Sequence, residues 1–468
     1  MDQSDWPRCL ENFLRPRSVA VVGAGDRATS SGGAVLRNLE LCRWPGRVIP
    51  VNPKGGTIRG IPVAVSLRDV QPPADLVVIV VRPDNVLAVI EEAATTGHSN
   101  LLVLPGGFSE AGEVGAERDR QLRALAKQHN MLIGGPNCAG LISLLDPEWP
   151  FAATFFRDMP RGGGVALLSQ SGAIVEEMIS ASHEMRLPLG AVVSIGNAMQ
   201  LDMASYLEAL GNDPACKAVL LYAESFGQGE RFLEVARGVS ARKPIIALVG
   251  GRSAEGRSAA FRHTGSAARE SADVDAFCLS CGILRVGSLR ELKLAAKAFA
   301  FFPSGLGHRV LILSNSGGPG VLATDRCVAE GLELIDLPED AVERLMEALP
   351  PEAAVANPMD LLADARADRF VAALEILRHS PIPQLDAILL IHVVPFMVDA
   401  GPVVAALAGL AGKFPIPLFH CMMGTLTDRE PWLDELERAG VPVFGDSEEM
   451  CMAASMLARH RKLLGRTA

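Results

Sequence analysis

Aromatic side chains are scarce in this 468-residue chain: 5% in all, with two tyrosines and four tryptophans. Cores built on aromatic clusters are therefore excluded. Val, Ile, Leu, Ala and Gly carry the apolar half instead, as strands of parallel sheets buried on both faces require. Positive charge is also short. Forty-four Lys and Arg against 54 Asp and Glu leave a net charge of −10, which denies the chain the basic face of a nucleic-acid binder. No apolar run approaches the roughly 18–20 residues that span a bilayer, the longest strand-like run being Leu76–Val81. Met1–Arg8 is polar and lacks the apolar stretch of a signal peptide. Nine cysteines, an odd number, read as reduced thiols. These absences point to a soluble cytoplasmic protein with neither nucleic acid nor membrane as partner. The length suits about three domains.

What is present is a repeated strand–helix rhythm. Strand signals at Ser18–Val22, Arg47–Val51, Leu76–Val81, Leu101–Leu104 and Met131–Ile133 alternate with helical patterns at Ala34–Leu41, Val86–Thr96 and Ala116–His129, as in a doubly wound sheet. A second set follows Arg161-Gly-Gly-Gly164, with strands at Val165–Leu168, Gly190–Val193, Ala218–Tyr222, Ile245–Val249 and Ile283–Val286. A third set follows Phe302–Gly307, with strands at Val310–Leu313, Glu333–Ile335, Ala387–Ile391, Pro417–Phe419 and Val441–Val443. The last two sets match in order, and their openings nearly copy each other: Val165-Ala-Leu-Leu-Ser-Gln-Ser-Gly172 and Val310-Leu-Ile-Leu-Ser-Asn-Ser-Gly317. The expected fold is α/β with three doubly wound domains: a Rossmann-like domain over 1–146, then two copies of a flavodoxin-like unit over 147–300 and 301–468.

Each copied turn aims backbone N–H groups and the positive end of a helix at one point, which suits a phosphate. The expected holders are Ser169, Gln170, Ser171 and Gly172 in one turn and Asn315, Ser316, Gly317 and Gly318 in the other; the plainer reading is two capped helix starts. Between the turns lies Arg262-His263-Thr264-Gly265, in a stretch of Gly, Ala, Ser and Thr that cannot form a packed helix face and reads as a loop. A neutral imidazole can attack phosphorus and form a phosphoramidate. It needs a carboxylate on its other nitrogen, and Glu224, just past the strand Ala218–Tyr222, stands on the same sheet rim.

In the first domain, Val22-Gly23-Ala24-Gly25 follows the first strand as a diphosphate-binding loop does, with Ala28 at the third glycine position. A tight βα turn explains it too. The second strand ends in Val51-Asn52-Pro53-Lys54 rather than the Asp or Glu of an NAD site, and a lysine there suits the phosphorylated ribose of coenzyme A or NADP. Leu104-Pro105-Gly106-Gly107 ends another strand on that rim. His392 and His420 follow apolar strands of the third domain and could face a substrate, although a structural role weighs more. Phe151, Phe155 and Phe156 could shape an entrance or simply pack.

Taken with Gly107-Phe-Ser-Glu110, Gly135-Pro-Asn-Cys138, Ser194-Ile-Gly-Asn197, His263-Thr-Gly265, Ser314-Asn-Ser-Gly-Gly-Pro-Gly320 and Asn357-Pro-Met-Asp360, these motifs make the chain resemble the NDP-forming acyl-CoA synthetases, relatives of succinyl-CoA synthetase, and within them the α subunit of the ADP-forming acetate–CoA ligase type. The resemblance implies an acid–thiol ligase that joins acid, CoA and ATP into acyl-CoA, ADP and phosphate. It implies that Gly23, Gly25, Asn52, Lys54, Pro105 and Gly106 line the CoA site, with Asn137 and Cys138 near its thiol. It further implies that His263 is phosphorylated, that Glu224 orients it, and that the two turns cradle the phosphate without a metal. ATP or ADP with Mg2+ would bind an ATP-grasp β subunit, which three sheets leave no room for in this chain, in the α2β2 assembly that the resemblance implies. The chain departs from the common pattern at Arg262, Val249, Gln200 and Gly25. A nucleotide-independent CoA or acyl transferase and a non-catalytic CoA-binding regulator are the alternatives. The acid itself, a small carboxylic acid, is not legible.

Overall fold

The computed structural model describes residues 6–467 except 28, 227–228, 265–269, 381, 383–384, 395–398 and 425–428; the side chains of 6–9, 261–264 and 466–467 also lie outside the description. The chain divides into two compact units, Met1–Leu292 and Lys293–Ala468.

The first sheet contains β1 (Ser18–Val22), β2 (Arg47–Val51), β5 (Leu76–Ile79), β6 (Asn100–Val103) and β7 (Leu132–Gly134), all parallel in the order β2-β1-β5-β6-β7. A small hairpin of β3 (Thr57–Ile58) and β4 (Ile61–Pro62) follows β2. Val, Ile and Leu fill these strands because helices cover both faces, and β5 and β6 are buried at every position. The helix Ser31–Leu41 starts where the Ser30 hydroxyl accepts the Gly33 N–H, and Pro83 opens the helix Pro83–Thr95.

The second sheet holds β8 (Gly140–Ser143), β9 (Phe151–Thr154), β10 (Val165–Ser169), β11 (Leu189–Ser194), β12 (Ala218–Ala223), β13 (Ile245–Val249) and β14 (Ile283–Val286), in the order β14-β13-β12-β10-β11-β8-β9. Its first five members are parallel, whereas β8 and β9 form an antiparallel hairpin on the β11 edge. Asp146, the expected end of the first domain, lies in the connection of this hairpin, and the chain has entered the second sheet by Gly140. One apolar core runs from Val19, Val21 and Val78 through Leu141 and Phe151 to Leu168, Val193 and Leu221, which is why two sheets make one unit.

The second unit holds β15 (Arg309–Ser314), β16 (Glu333–Leu334), β18 (Ala387–Val393), β19 (Leu418–Met423) and β20 (Val443–Phe444), in the order β16-β15-β18-β19-β20, with the short β17 (Met359–Asp360) also paired to β15. The expected boundary at 300 falls inside the helix Leu289–Phe301, and the unit begins at Lys293. Numbered by their own parallel strands, all three sheets read 2-1-3-4-5, which places the topological switch point between the first and third strands of each.

The stretch around His263, expected to be a loop, is helical over Ala254–Thr264. Ser253 starts it, its hydroxyl accepting the Gly256 N–H at 2.9 Å. Ala, Glu and Arg, good helix formers, continue it with most described side chains facing solvent. Among the thiols expected to be reduced, Cys278-Leu279-Ser280-Cys281 has C-x-x-C spacing. Burial pushes Cys278 up to about 12 and Cys281 up to about 11. They stand at the C-terminal end of the helix Ser271–Ser280, where the helix dipole disfavours a thiolate, so neither offers the low-pKa sulfur that redox chemistry needs. No helix among the described residues is long and apolar enough to cross a membrane.

Candidate functional site

A cavity of about 560 Å³ opens where the C-terminal rim of the first sheet meets one helix start of the second, within the size range of small-molecule sites. The first sheet contributes Val80 and Val81 beyond β5, Leu104, Pro105 and Gly106 beyond β6, and Asn137, Cys138 and Ala139 beyond β7. The second contributes Gln170–Ala173 beyond β10 and Ser194 of β11, and Phe155 closes a side.

The turn after β10 is built by its own side chains. The Ser169 hydroxyl donates to the Ser171 carbonyl at 2.8 Å and accepts the Ser171 N–H at 3.0 Å. Ser171 caps the helix Gly172–Glu184 by accepting the Ile174 N–H. The N–H groups of Gly172 and Ala173, the first two of that helix, have no acceptor within it, and both residues line the cavity. This is an anion-binding arrangement at the positive end of a 13-residue helix.

On the facing side the backbone at Gly106 comes close to other groups. A Cβ there would stand 2.9 Å from the Asn137 Oδ1 and 3.0 Å from the Glu110 Oε1. Asn137 donates to the Asn197 Oδ1 at 3.1 Å, and Asn197 donates in turn to Ser109 at 3.1 Å and to the Glu110 carboxylate. Glu110 also accepts the N–H groups of Gly107 and Phe108. Burial raises its carboxyl, but these hydrogen bonds outweigh burial and leave it below the usual carboxylate range. A fixed negative charge thus braces the Pro105–Phe108 loop against Asn197 in the turn after β11.

Cys138 is 4% exposed, its thiol donates to the Val103 carbonyl at 3.4 Å, and burial pushes it up to about 12. It walls the cavity as a neutral group. Along the rim the Asn52 side chain donates to the Ala24 carbonyl at 2.8 Å and accepts the Lys54 N–H at 3.0 Å, tying the Lys54 loop to the Gly23–Gly25 loop. Ala28 lies outside the described residues, but the close approach expected there is made by Gly32, where a Cβ would stand 2.2 Å from the Gly23 carbonyl oxygen. Among the described residues no group of three or more His, Cys, Asp or Glu side chains could hold a metal ion.

Residues 17–143 match the CoA binding domain family, 162–299 the succinyl-CoA ligase like flavodoxin domain, and 310–410 the ligase-CoA domain. The chain is 33% identical to the α subunit of acetate–CoA ligase (ADP-forming) II of Pyrococcus furiosus, over 97% of its own length and 99% of that subunit. The chain belongs to that family, the α subunits of ADP-forming acyl-CoA ligases. It is also 34% identical to acetate–CoA ligase (ADP-forming) I of Archaeoglobus fulgidus, covering 64% of that longer protein. Its fold superposes with a TM-score of 0.88 on the dinucleotide-forming acetyl-coenzyme A synthetase 1 of Candidatus Korarchaeum cryptofilum in complex with phosphate and ADP, at 29% identity and 98% coverage of both chains.

Within this α-subunit family member, the expected site residues fall into three groups. Pro105, Gly106, Asn137, Cys138, Gln170, Ser171 and Gly172 share one cavity. Gly23, Gly25, Asn52 and Lys54 stand farther along the same rim, at the ends of β1 and β2. Glu224 follows β12, its N–H donating to the Gln170 side chain at 2.6 Å. His263 is in the last turn of the helix Ala254–Thr264, and its side chain lies outside the described residues.

Two of the expected phosphate holders use their side chains within the turns. The only hydroxyl proton of Ser169 goes to Ser171, and the residue is fully buried. Asn315 is fully buried as well, donating to the Val393 carbonyl and accepting the Val393 N–H, each at 2.8 Å. Both side chains shape their turns. The turn of the second unit repeats one pair of these bonds, the Ser314 hydroxyl donating to the Ser316 carbonyl at 2.8 Å and accepting the Ser316 N–H at 3.0 Å, but Ser316 makes no side-chain cap bond. Gly317 and Gly318 open the helix Gly317–Ala329.

His392 and His420 do not face the rim. Both are buried, 0% and 1% exposed, with rings 5.9 Å apart and no hydrogen-bond partner on any ring nitrogen among the described residues. Phe151 packs on Trp44 in the core, whereas Phe155, 39% exposed, reaches the cavity. Glu110 and Asn197 escaped assignment in the sequence, although both stand in the motifs that carry the resemblance. Gln200, a departure from the family pattern, holds β7 by accepting the Ile133 N–H and donating to the Met131 carbonyl.

Proposed function

We propose that this chain is the α subunit of an ADP-forming acyl-CoA synthetase of the cytoplasm that joins a small carboxylic acid to CoA through a phosphohistidine at His263. The supporting observation is the single cavity in which the CoA-domain loops at Pro105–Gly106 and Asn137–Cys138 meet the helix start at Gly172–Ala173. It has room for a thiol terminus and an anion side by side. Asn52 and Lys54 suit the adenosine end of CoA, with the Lys54 ammonium on a ribose phosphate. The glycine at 106 lets the pantetheine approach the backbone.

In the synthetic direction, a neutral ring nitrogen of His263 attacks the terminal phosphorus of ATP and ADP leaves. The carboxylate of the acid then takes the phosphoryl group and the imidazole is restored. Finally the CoA thiol loses its proton, its sulfur attacks the acyl carbon, and inorganic phosphate departs. Glu224 accepts the N–H of the ring nitrogen that does not react, and the N–H groups of Gly172 and Ala173 hold the transferring phosphoryl group. The turn at Ser316–Gly318, with the same pair of Ser314–Ser316 hydrogen bonds, is an anion-holding turn of the second unit.

The nucleotide and its Mg2+ belong to a separate ATP-grasp β subunit, in an α2β2 assembly. Mixing the chain with such a partner and ATP labelled in its terminal phosphate tests this reading. Acid-labile, alkali-stable label on the α chain, absent in His263→Ala and discharged by acid plus CoA, is expected, together with the mass of an α2β2 complex in sedimentation. Acyl transfer between thioesters without nucleotide would instead identify a transferase, and CoA binding with no label or turnover a regulator.

A further inference from the structure

We propose that Gln170 is a positioning residue for Glu224. Its side-chain amide holds the backbone from which the carboxylate projects, so one residue sets both the phosphate turn and the acid that orients His263. The proposal rests on the role given to Glu224 above.

Four hydrogen bonds carry it. The Gln170 N–H donates to the Tyr222 carbonyl at 3.2 Å. Its Oε1 accepts the N–H groups of Glu224 at 2.6 Å and of Ser225 at 3.2 Å, and its Nε2 donates to the Ser225 carbonyl at 2.9 Å. Strand β12 ends at Ala223, so the backbone at 224 and 225 has left the sheet ladder and Gln170 replaces the missing strand neighbour. On the other side of Ala223, its carbonyl accepts the Gly250 N–H at 2.9 Å, and a Cβ on Gly250 would touch the Glu224 Cγ at 3.8 Å. Glu224 therefore stands beside the start of the segment that leads into the His263 helix.

The second unit repeats the device. Register pairs Ser169 with Tyr222 and Ser314 with Ile391, so Asn315 corresponds to Gln170 and Val393 to Glu224. The Asn315 N–H donates to the Ile391 carbonyl at 3.3 Å, and its side chain exchanges two hydrogen bonds with the Val393 backbone. An amide at the second position of the turn thus fixes the same backbone position in both units. In one unit that position carries a valine, and in the other it carries the acid. The clamp belongs to the fold, and the carboxylate occupies a place it had already made rigid.

The test uses the chain assembled with its ATP-grasp partner and reads the rate at which His263 takes label from ATP. Gln170→Ala is expected to slow labelling on the order of 10- to 100-fold, as small misplacements of catalytic groups do, with circular dichroism unchanged. Gln170→Asn should recover most of the rate, because Asn315 makes the equivalent clamp with the shorter side chain. In a double-mutant cycle the loss from Gln170→Ala should vanish in a Glu224→Gln background. If Gln170→Ala does not accumulate, isosteric Gln170→Glu, which keeps the acceptor but sets a carboxylate against the Ser225 carbonyl, runs the same cycle. Wild-type labelling by the variant, or an equal loss in both backgrounds, overturns the clamp and leaves the role of Glu224 standing. A Glu224→Gln chain that labels normally overturns that role and the clamp with it.

Discussion

Lys54 and Cys138 are the two residues whose chemistry is most easily put to the test. Lys54 is exposed beside the bonded Asn52 loop. Lys54→Ala should weaken CoA about tenfold, the worth of one charge-assisted contact, while leaving dephospho-CoA nearly unaffected; parallel titrations by calorimetry check this, and equal losses contradict the placement. Cys138, with its thiol pushed up to about 12 by burial, should resist iodoacetamide at pH 8, and Cys138→Ser should keep turnover. Loss of turnover on alkylation at that residue would show a reactive sulfur instead. Gly106→Ala drives a methyl toward Asn137 and Glu110, and an increase of about tenfold in the KM for CoA is expected with the labelling of His263 intact. Strand-end loops such as Pro105–Gly106 were legible in the sequence because every open sheet presents its ligands there. Glu110 was not, since its partner Asn197 is 87 residues away in sequence and no local pattern announces that bond.

The copied turns show how far an element can be read from its own residues. Ser-x-Ser-Gly after a strand gave the turn and the helix start correctly, including the cap at Ser171. It did not announce that the side chains of Ser169 and Asn315 bond within their own turns. The helix Ala254–Thr264 was missed because its Gly, Ala and Ser composition offers no apolar stripe; its residues satisfy the backbone locally without a core to pack on. Strands β18 and β19 carry a prediction of their own. Burial lowers His392 to about 4 and pulls His420 well below its ordinary value, with its neighbour His392 adding to the effect; burial takes His460 to about 4 as well. Because these folded-state values lie below the unfolded one near 6.5, the unfolded chain binds more protons as pH falls. Their contribution to stability is complete above pH 6.5 and is lost as pH drops from there toward 4, on the order of 3 kcal/mol for each of His392 and His460. Hydrogen exchange in residues 387–393 and 418–423 should accelerate over that window, and His392→Phe should blunt the change; protection flat between pH 7 and 4.5 would refute it.

At the scale of the molecule, three sheets of one strand order are gathered into two units, and the unit that joins two sheets does so through a continuous core. The loops assigned to CoA and the first phosphate turn all fall in that unit. The chain by itself should therefore bind CoA in equilibrium dialysis yet take no label from ATP until an ATP-grasp partner is added. Label on the chain alone would place nucleotide chemistry within these three sheets and undo the two-subunit reading.

The α/β class, the three strand–helix rhythms and the duplicated turn are written in periods of two and 3.6 residues and in short glycine and serine patterns, which act through neighbours in sequence. The sequence alone was enough for these. Sheet order and side-chain register bring together residues that no local period connects, and those the tertiary structure decided. It placed the β8–β9 hairpin on the second sheet, sank His392 and His420 into the core, and set the Gln170 amide against the backbone of Glu224, 54 residues along the chain.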